Sequence, residues 1–126
     1  MPLDDVCKVA IYHPDGAEKA CAGIMESEWK DKLQITCSGV EWVEFCAKEA
    51  SKGEAFALLQ EYLDIPISET LYFGDNMNDL PAFREAGIAM TVANARSEVQ
   101  DQADLVAAPY MSDGVLNQLK FILMTQ

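Results

Sequence analysis

The chain has 126 residues, of which 21 are acidic and nine are basic, so its formal net charge is −12. This length suits one domain or two very small ones, and a hydrophobic fraction of 50% is enough to form a packed core. The strong negative charge argues against proteins that bind nucleic acid or anionic membranes, because such binding depends on cationic contacts.

The cysteine pattern favours buried, reduced thiols. The four cysteines all lie in the first half of the chain and show no C-x-x-C spacing: Cys7, Cys21, Cys37 and Cys46. Each lies in an apolar pattern, which is more typical of packed thiols than of disulfides or zinc ligands. No apolar run approaches the length of a membrane span and no signal peptide is recognisable, so we expect a cytoplasmic protein.

The first 50 residues predict the element order β-α-β-β. Strand-forming residues occupy 5–12, 33–38 and 41–46, and Gly39 suggests that the last two strands form a hairpin. Asp15 and Glu18 have capping-box spacing, so a helix should follow them and end near Trp29.

A second capping box, Ser51 with Glu54, opens the next helix. Helical spacing predicts that its inward face consists of Ala55, Leu58, Leu59, Tyr62 and Leu63. Ile65 and Pro66 should end this helix.

From residue 51 onward, helices and strands alternate. Strands are predicted at 70–73, 88–92 and 105–107, helices at 79–86 and 96–103, and a last helix is predicted to follow Ser112. Gly87 is a natural residue for a left-handed helix end. The alternation predicts a parallel sheet covered on both faces.

These patterns define an α/β fold with two regions. We expect residues 1–50 to form a small β-α-β-β region and residues 51–126 to form a partial Rossmann-like parallel sheet, with the boundary near residues 48 to 51.

The stretch at residues 71–79, LYFGDNMND, combines a buried-strand pattern with an acidic turn. Oxygen ligands gathered at the carboxyl end of a parallel strand are what Mg²⁺ requires, and a helix start nearby would suit a phosphate. The alternative is a solvated turn in which Asn and Asp side chains only cap the next helix.

Two further polar residues have ambiguous positions. Lys52 lies at a helix start, where the helix dipole slightly disfavours a cation, so its position hints weakly at another role. Asn94 follows a predicted strand, and from the pattern alone it is a helix cap for the segment beginning at Arg96.

A set of short motifs, in order, resembles the C-terminal half of Cof-type phosphatases of the haloacid dehalogenase superfamily. The motifs are S-K-G at 51–53, G-D-N-M-N-D at 74–79, A-G-I-A at 86–89, N-A at 94–95, A-D-L-V at 103–106 and D-G-V at 113–115. The resemblance runs from about residue 48 to the end. The first 50 residues look like the last β-α-β-β of that family's cap domain, by pattern rather than motif. One small departure is Val92-Ala93, where the family usually has a Met-Gly or similar pair.

The resemblance implies Mg²⁺-dependent hydrolysis of a phosphate monoester through an aspartyl-phosphate. By that resemblance, Asp75 is a metal ligand, and Asp79 holds a metal-bound water or orients Lys52. Lys52 would neutralise charge on the phosphoryl group. Asn78 would contact that group or shape the turn, and Asn94 would border the phosphate pocket. The implied substrate is a small phosphorylated metabolite of the sugar phosphate or nucleotide class.

One departure from the family is an absence. The family's chemistry needs a nucleophilic aspartate in a D-x-D-G segment, and residues 13–16, HPDG, have a histidine in that place. We interpret this segment as a cap turn. The Ser or Thr of the family's second phosphate motif is also missing. The sequence therefore predicts a C-terminal fragment, inactive alone, that self-associates through an exposed sheet edge.

Two other interpretations remain. One is a non-catalytic module whose acidic turn binds a cation or a partner. The other is a flavodoxin-like or response-regulator-like domain, which also gathers carboxylates at strand ends. The flavodoxin-like or response-regulator-like interpretation is disfavoured. Response regulators need a phospho-acceptor aspartate and a separate acidic pair near the N-terminus, and this arrangement is not recognisable here.

Overall fold

The computed structural model describes residues 6–17, 19–20 and 23–125, apart from the side chains of Ile24 and Glu26, and these residues form two three-stranded sheets. The first sheet consists of β1 (Lys8–Tyr12), β2 (Leu33–Cys37) and β3 (Trp42–Ala47), with helix α1 (Gly23–Trp29) between β1 and β2. The second consists of β4 (Leu71–Phe73), β5 (Ile88–Val92) and β6 (Leu105–Ala107). Its helices are α2 (Lys52–Leu63), α3 (Leu80–Glu85), α4 (Ser97–Gln100) and α5 (Gly114–Met124).

The first sheet is antiparallel, with the strand order β1-β3-β2. The predicted hairpin of β2 and β3 is confirmed. Alternate residues of β3, Val43 and Phe45, are buried with Ala17 in one apolar cluster. Helical spacing predicts that Ala20 shares one inward face with Ala17, Cys21, Ile24 and Met25; this is wrong for Ala20, which is exposed. The Asp15–Glu18 capping box and the burial of Cys21 and Ile24 lie outside the described residues.

The second sheet is parallel, with the order β4-β5-β6, so the predicted α/β architecture is confirmed. Its faces are set by alternation along β5. Ala89 packs with Phe83 of α3 and Val99 of α4, whereas Met90 and Val92 pack on the side where Val115 of α5 lies. Helices therefore cover both faces, as the alternating pattern predicted.

Helix α2 begins as the sequence predicted, because Ser51 Oγ accepts a hydrogen bond from the Glu54 amide at 3.0 Å. Its predicted inward face is wrong. Ala55 and the group that we call the α2 stripe are exposed: Leu58, Leu59, Tyr62 and Leu63. The buried positions are Gly53 and Gln60.

A different face of α2 is buried because of contacts that helical spacing cannot reveal. Gln60 Nε2 donates to the Glu85 carbonyl and to Thr70 Oγ1, both at 2.9 Å, so a polar residue is held on the inner face. At Gly53 the helix passes so close to α3 that a Cβ atom would lie 2.6 Å from the Pro81 carbonyl oxygen. The close approach at Gly53 and the hydrogen bonds of Gln60 therefore determine which face of α2 is buried, although the α2 stripe contains more apolar residues.

Gly87 is required because a side chain at this position would clash with a neighbouring segment, and not because its backbone is left-handed. Its φ is not positive, and a Cβ at this position would lie 2.2 Å from the Ile67 carbonyl oxygen. The predicted left-handed end of α3 is therefore wrong. Among the described non-glycine residues, Asp64 and Asp113 have a positive φ, and they flank α2 and α5.

Two predicted helix caps are also absent. Ser112 ends a 3₁₀ turn, Tyr110–Ser112, and Asp113 precedes α5 without capping it through its side chain. Asn94 does not cap α4, which Arg96 precedes. Helical spacing predicts that Val115, Leu116, Leu119, Ile122 and Leu123 form the inward face of α5, but three of them are exposed: Leu116, Leu119 and Leu123.

The described cysteines form no disulfide: Cys7, Cys37 and Cys46. Cys7 is exposed and the other two are half-buried, so the prediction of buried thiols is wrong for Cys7. Within the described chain, every helix is too short or too polar to cross a lipid bilayer.

Candidate active site

The turn after β4 is organised around the carboxylate of Asp79. Asp79 lies at the end of a 3₁₀ turn, Met77–Asp79, and is 3% exposed. Its Oδ2 accepts the backbone amides of Asp75 and Asn76, each at 3.1 Å. Asn76 completes a capping box by accepting from the turn amides, so Asp75, Asn76 and Asp79 are tied together by hydrogen bonds.

The other oxygen of Asp79 binds two side chains from elsewhere in the fold. Lys52 Nζ, at the first position of α2, forms an ion pair with Oδ1. The Tyr72 hydroxyl donates to the same oxygen at 3.2 Å. Asp79 is therefore saturated with four donors, and Lys52 is held at the carboxyl end of β4.

Tyr72 is a member of the site that the sequence analysis did not single out. Its ring lies between Phe56 of α2 and Phe83 of α3, with centroid distances of 5.1 and 6.1 Å. Burial, and then the charge and hydrogen bond of Asp79, raise the pKa of Tyr72 to about 12. The available signal was strand alternation, which places Tyr72 on the face of β4 that α2 and α3 cover.

Asp75 and Asn78 lie on the same turn but in different environments. Asp75 is exposed and lines a small cleft of about 180 Å³ with Gly74 and Tyr110. Asn78 is half-buried, and its Oδ1 is buried without a hydrogen-bond partner. It lines a larger cleft together with Lys52. The candidate residues therefore surround the end of β4 on two sides.

Asn94 is exposed and follows β5, the strand that pairs with β4. Its Oδ1 accepts the Tyr110 amide at 3.0 Å. Because Tyr110 lines the cleft at Asp75, Asn94 is linked to that cleft through its hydrogen bond with Tyr110.

The HPDG segment belongs to the other sheet. The His13 amide donates to the Glu41 carbonyl at 2.9 Å, so the segment is tied to the start of β3. His13 Nδ1 accepts the Asp15 amide at 3.3 Å. This location agrees with its interpretation as a turn of the first region. Among the described residues, no cluster of three or more His, Cys, Asp or Glu side chains is arranged to hold a metal ion.

Comparison with known proteins links this geometry to one family. A family profile described as haloacid dehalogenase-like hydrolase matches residues 2–119. Phosphatase YwpJ of Bacillus subtilis is 33% identical over 106 residues, which is 84% of this chain and 37% of that protein. The 5-amino-6-(5-phospho-D-ribitylamino)uracil phosphatase YcsE of the same organism is 30% identical over 77% of this chain and 39% of that protein.

Solved structures give the same result. A haloacid dehalogenase-like hydrolase from B. subtilis superimposes with a TM-score of 0.80 at 30% identity, covering 90% of this chain and 40% of that one. The chain thus spans less than half the length of the relatives named here.

Proposed function

We propose that this chain, which belongs to the family of haloacid dehalogenase-like hydrolases, carries the phosphoryl-binding and metal-binding part of a phosphate monoester hydrolase site. The observation that carries the proposal is the ion pair of Lys52 with Asp79 at the end of β4, beside the exposed carboxylate of Asp75. This arrangement places one cation and one accessible anion at the carboxyl edge of a parallel sheet, where such folds bind their ligands.

Lys52 is the catalytic residue of the proposal. Its ammonium group would neutralise the phosphoryl oxygens as charge develops on them. Asp79 orients Lys52, because its two oxygens are already shared among four donors. Asn78 would donate its amide to the phosphoryl group, and Asn94 would border the phosphate pocket by holding Tyr110.

The residues of the turn fit Mg²⁺. This ion prefers oxygen ligands, needs few from the protein and keeps several waters. Asp75 offers an exposed carboxylate for direct binding, whereas Asp79, whose oxygens already accept from four donors, would contribute by orienting Lys52. When bound, the ion would supply positive charge to the transferring phosphoryl group.

The proposed reaction passes through an aspartyl-phosphate and therefore needs a nucleophilic carboxylate. The described residues that line the two clefts include the carboxylates of Asp75 and Glu44, and Glu44 is paired with Lys8 at 3.0 Å. We assign Asp75 to the metal. A polypeptide of these 126 residues alone is therefore proposed to be inactive, the nucleophile coming from a segment of the D-x-D type.

We propose a division of the chain into two regions, which the presence of two separate sheets supports. Residues 1–50 are proposed as part of a cap that faces the site, and residues 51–126 as the later part of the core.

The substrate is proposed to be a small phosphorylated metabolite, and the protein is proposed to act in the cytoplasm. The open edge of β4 is proposed to support self-association.

Titration with inorganic phosphate and Mg²⁺ tests the proposal. In ¹⁵N-labelled protein, phosphate should shift the amide resonances of residues 52 and 75–78, and Mg²⁺ should shift that of Asp75. Lys52→Gln should remove the phosphate response, whereas Lys120→Gln, an exposed substitution on α5, should not.

The alternative function is a module that binds a cation without chemistry. It is favoured by the single observation that, among the described residues, the two carboxylates lining the clefts are accounted for, because Glu44 is paired with Lys8 and Asp75 is assigned to the metal. A Mg²⁺ response together with no phosphate response in the wild-type protein would replace the phosphatase proposal with this one.

A further inference from the structure

The acceptor positions of the Asp79 carboxylate are shared by four donors of the described chain. An ionised carboxylate offers about four lone-pair sites, two on each oxygen. The backbone amides of Asp75 and Asn76 bind Oδ2. The Lys52 ammonium group and the Tyr72 hydroxyl both bind Oδ1. Each of these two side chains therefore takes one position on Oδ1, and Lys52 has the position that Tyr72 does not occupy.

Tyr72 is the rigid member of this pair. Its ring forms edge-to-face contacts with Phe56 and Phe83, at centroid distances of 5.1 and 6.1 Å, and it packs against the apolar cluster that contains Val99. Because the hydroxyl lies on the ring axis, a fixed ring also fixes the hydroxyl oxygen, 3.2 Å from Oδ1. An ionised carboxylate can only accept, so the phenol is the donor. Tyr72 is therefore a donor whose position is set by packing.

Lys52 combines an anchored backbone with a flexible side chain. Ser51 caps the start of α2, and a Cβ at Gly53 would lie 2.6 Å from the Pro81 carbonyl oxygen, so the first turn is held against α3. The four-carbon stem of a lysine is flexible, and this one is 47% exposed. The place of the ammonium group therefore depends on the acceptor position that Asp79 leaves open to it.

The side chain of Asp79 is itself held against the end of β4. A Cβ at Gly74 would lie 2.5 Å from Asp79 Cβ and 2.8 Å from its Cγ, so the absence of a side chain at residue 74 allows this approach. The carboxylate therefore presents Oδ1 in one orientation. Loss of the Tyr72 hydroxyl would leave a vacant acceptor position on that oxygen, beside the ring and close to the ammonium group.

We propose that Tyr72 is a positioning residue of the candidate site, because by occupying one acceptor position of Asp79 Oδ1 it confines the Lys52 ammonium group to the other. From there Lys52 lines the larger cleft. The proposal rests on the proposed function, since the ligand that Lys52 meets is the phosphoryl group. Without the hydroxyl, Lys52 would have two positions on Oδ1, and a phosphoryl group would have to order it on binding.

The first test measures phosphate binding by amide chemical shifts at residues 52 and 75–78. Tyr72→Phe removes the hydroxyl and keeps the ring. It should bind inorganic phosphate about threefold to tenfold more weakly than the wild-type protein, because ordering a long side chain on binding reduces affinity. The matched control is Tyr62→Phe, whose parent side chain is 86% exposed. It should bind phosphate as the wild-type protein does.

A second measurement reports on Lys52 directly. Its side-chain ammonium resonance in ¹⁵N-labelled protein, recorded at mildly acidic pH, is identified by its absence in Lys52→Gln. Tyr72→Phe should shift this resonance and lower its order parameter, because the ammonium group gains a second position. Val99→Ala leaves a cavity in the same apolar cluster and should destabilise the protein. Because it removes no donor, it should leave the ammonium resonance and phosphate binding unchanged.

The outcomes separate this role from the proposed function. If the wild-type protein binds phosphate at Lys52 and Tyr72→Phe binds it equally well or more tightly, the positioning role is wrong and the phosphatase site stands. If Tyr72→Phe binds more weakly with an unchanged ammonium resonance, or if Val99→Ala produces the same changes, the effect arises from packing and the positioning role is again wrong. If the wild-type protein does not bind phosphate at Lys52, the proposed function fails, and the positioning role fails with it.

Discussion

Lys52 and Asp79 lie 27 residues apart in the chain, yet they form an ion pair where α2 begins and the turn after β4 ends. The Lys52 side chain remains 47% exposed, whereas that of Asp79 is 5% exposed. The buried carboxylate therefore anchors a cation whose stem is still reachable from solvent. Because of this difference in burial, Lys52 can meet a ligand, whereas Asp79 can act only by positioning Lys52.

Replacing Asp79 should be costly because its carboxylate binds four donors. Asp79→Asn converts one accepting oxygen into a donor and removes the charge opposite Lys52. We expect the free energy of unfolding in urea to fall by about 3 kcal/mol. Asp101→Asn, at an exposed position, should change it by less than about 0.5 kcal/mol. Equal effects of the two substitutions would show that the Asp79 network does not stabilise the fold.

Stability at high pH should depend on Tyr72. Its pKa in the folded protein is raised to about 12, whereas an unfolded tyrosine titrates near pH 10. The folded state therefore holds the phenol proton more tightly. The resulting stabilisation is complete below about pH 10 and is lost as the pH rises to about 12.

Unfolding measured between pH 9 and 12 checks this prediction. Tyr72→Phe should lose less stability than the wild-type protein over this window, because it has no phenol to ionise. Tyr62→Phe, whose parent residue is 86% exposed, should follow the wild-type curve. A Tyr72→Phe curve parallel to that of the wild type would contradict the assignment.

Glycine 53 should resist substitution although it lies in a helix. Helix propensity alone predicts that Gly→Ala adds about 1 kcal/mol of stability. In α2, however, the new methyl would lie 2.6 Å from the Pro81 carbonyl oxygen. We expect Gly53→Ala to reduce the free energy of unfolding by about 1–3 kcal/mol and to shift the amide resonance of Asp79.

The matched control is Gly23→Ala in α1, where no described atom outside its own helix and chain neighbours lies within 4 Å of the added Cβ. This variant should be neutral or slightly stabilised. If both variants were stabilised, the contact between α2 and α3 would be looser than the structure indicates.

A polypeptide of these 126 residues should not hydrolyse an aryl phosphate in the presence of Mg²⁺. The reason is that the carboxylates lining the clefts are assigned to the metal or paired with Lys8. The measurement is release of the phenol above the rate in buffer. Turnover abolished by His13→Ala or Asp15→Ala would make the HPDG turn catalytic, and turnover abolished by Asp75→Asn alone would require a nucleophile elsewhere.

Self-association should occur through the edge of the parallel sheet. Within the described residues, β4 pairs with β5 on one side, and β5 is its one strand partner. Its residues Leu71, Tyr72 and Phe73 carry no charge to discourage pairing with another chain. The exposed α2 stripe adds apolar surface on α2.

Sedimentation velocity at several concentrations should therefore reveal a species larger than the monomer. Leu71→Lys should shift the equilibrium toward the monomer, whereas Val40→Lys, in the exposed turn between β2 and β3, should not. A monomer at high concentration with slow amide exchange along residues 70–73 would mean that the edge is already protected.

Several elements were predictable from sequence because local interactions specify them. The span of β5, the Ser51–Glu54 cap and the parallel pairing of the later strands agree with the structure. Strand alternation, turn residues and caps act over a few residues, so a linear pattern records them. The motif at residues 74–79 likewise placed Asp75 and Asp79 together before any fold was known.

Other features depend on contacts between distant segments. The buried face of α2 is chosen by Gln60 binding the end of α3 and by the approach at Gly53, and neither contact has a signature in helical spacing. Gly87 serves close packing against Ile67 and not a left-handed turn.

The features of the candidate site also fall into those that the sequence predicts and those that depend on contacts between distant segments. The sequence by itself determined which side chains are available at the turn and at the start of α2. Only the tertiary structure decided that Tyr72 shares the carboxylate of Asp79 with Lys52, and that Gln34 and Thr36 face them across a cleft. The physical reason is that burial and register bring these groups together through long-range packing, whereas sequence patterns report chiefly on neighbours along the chain.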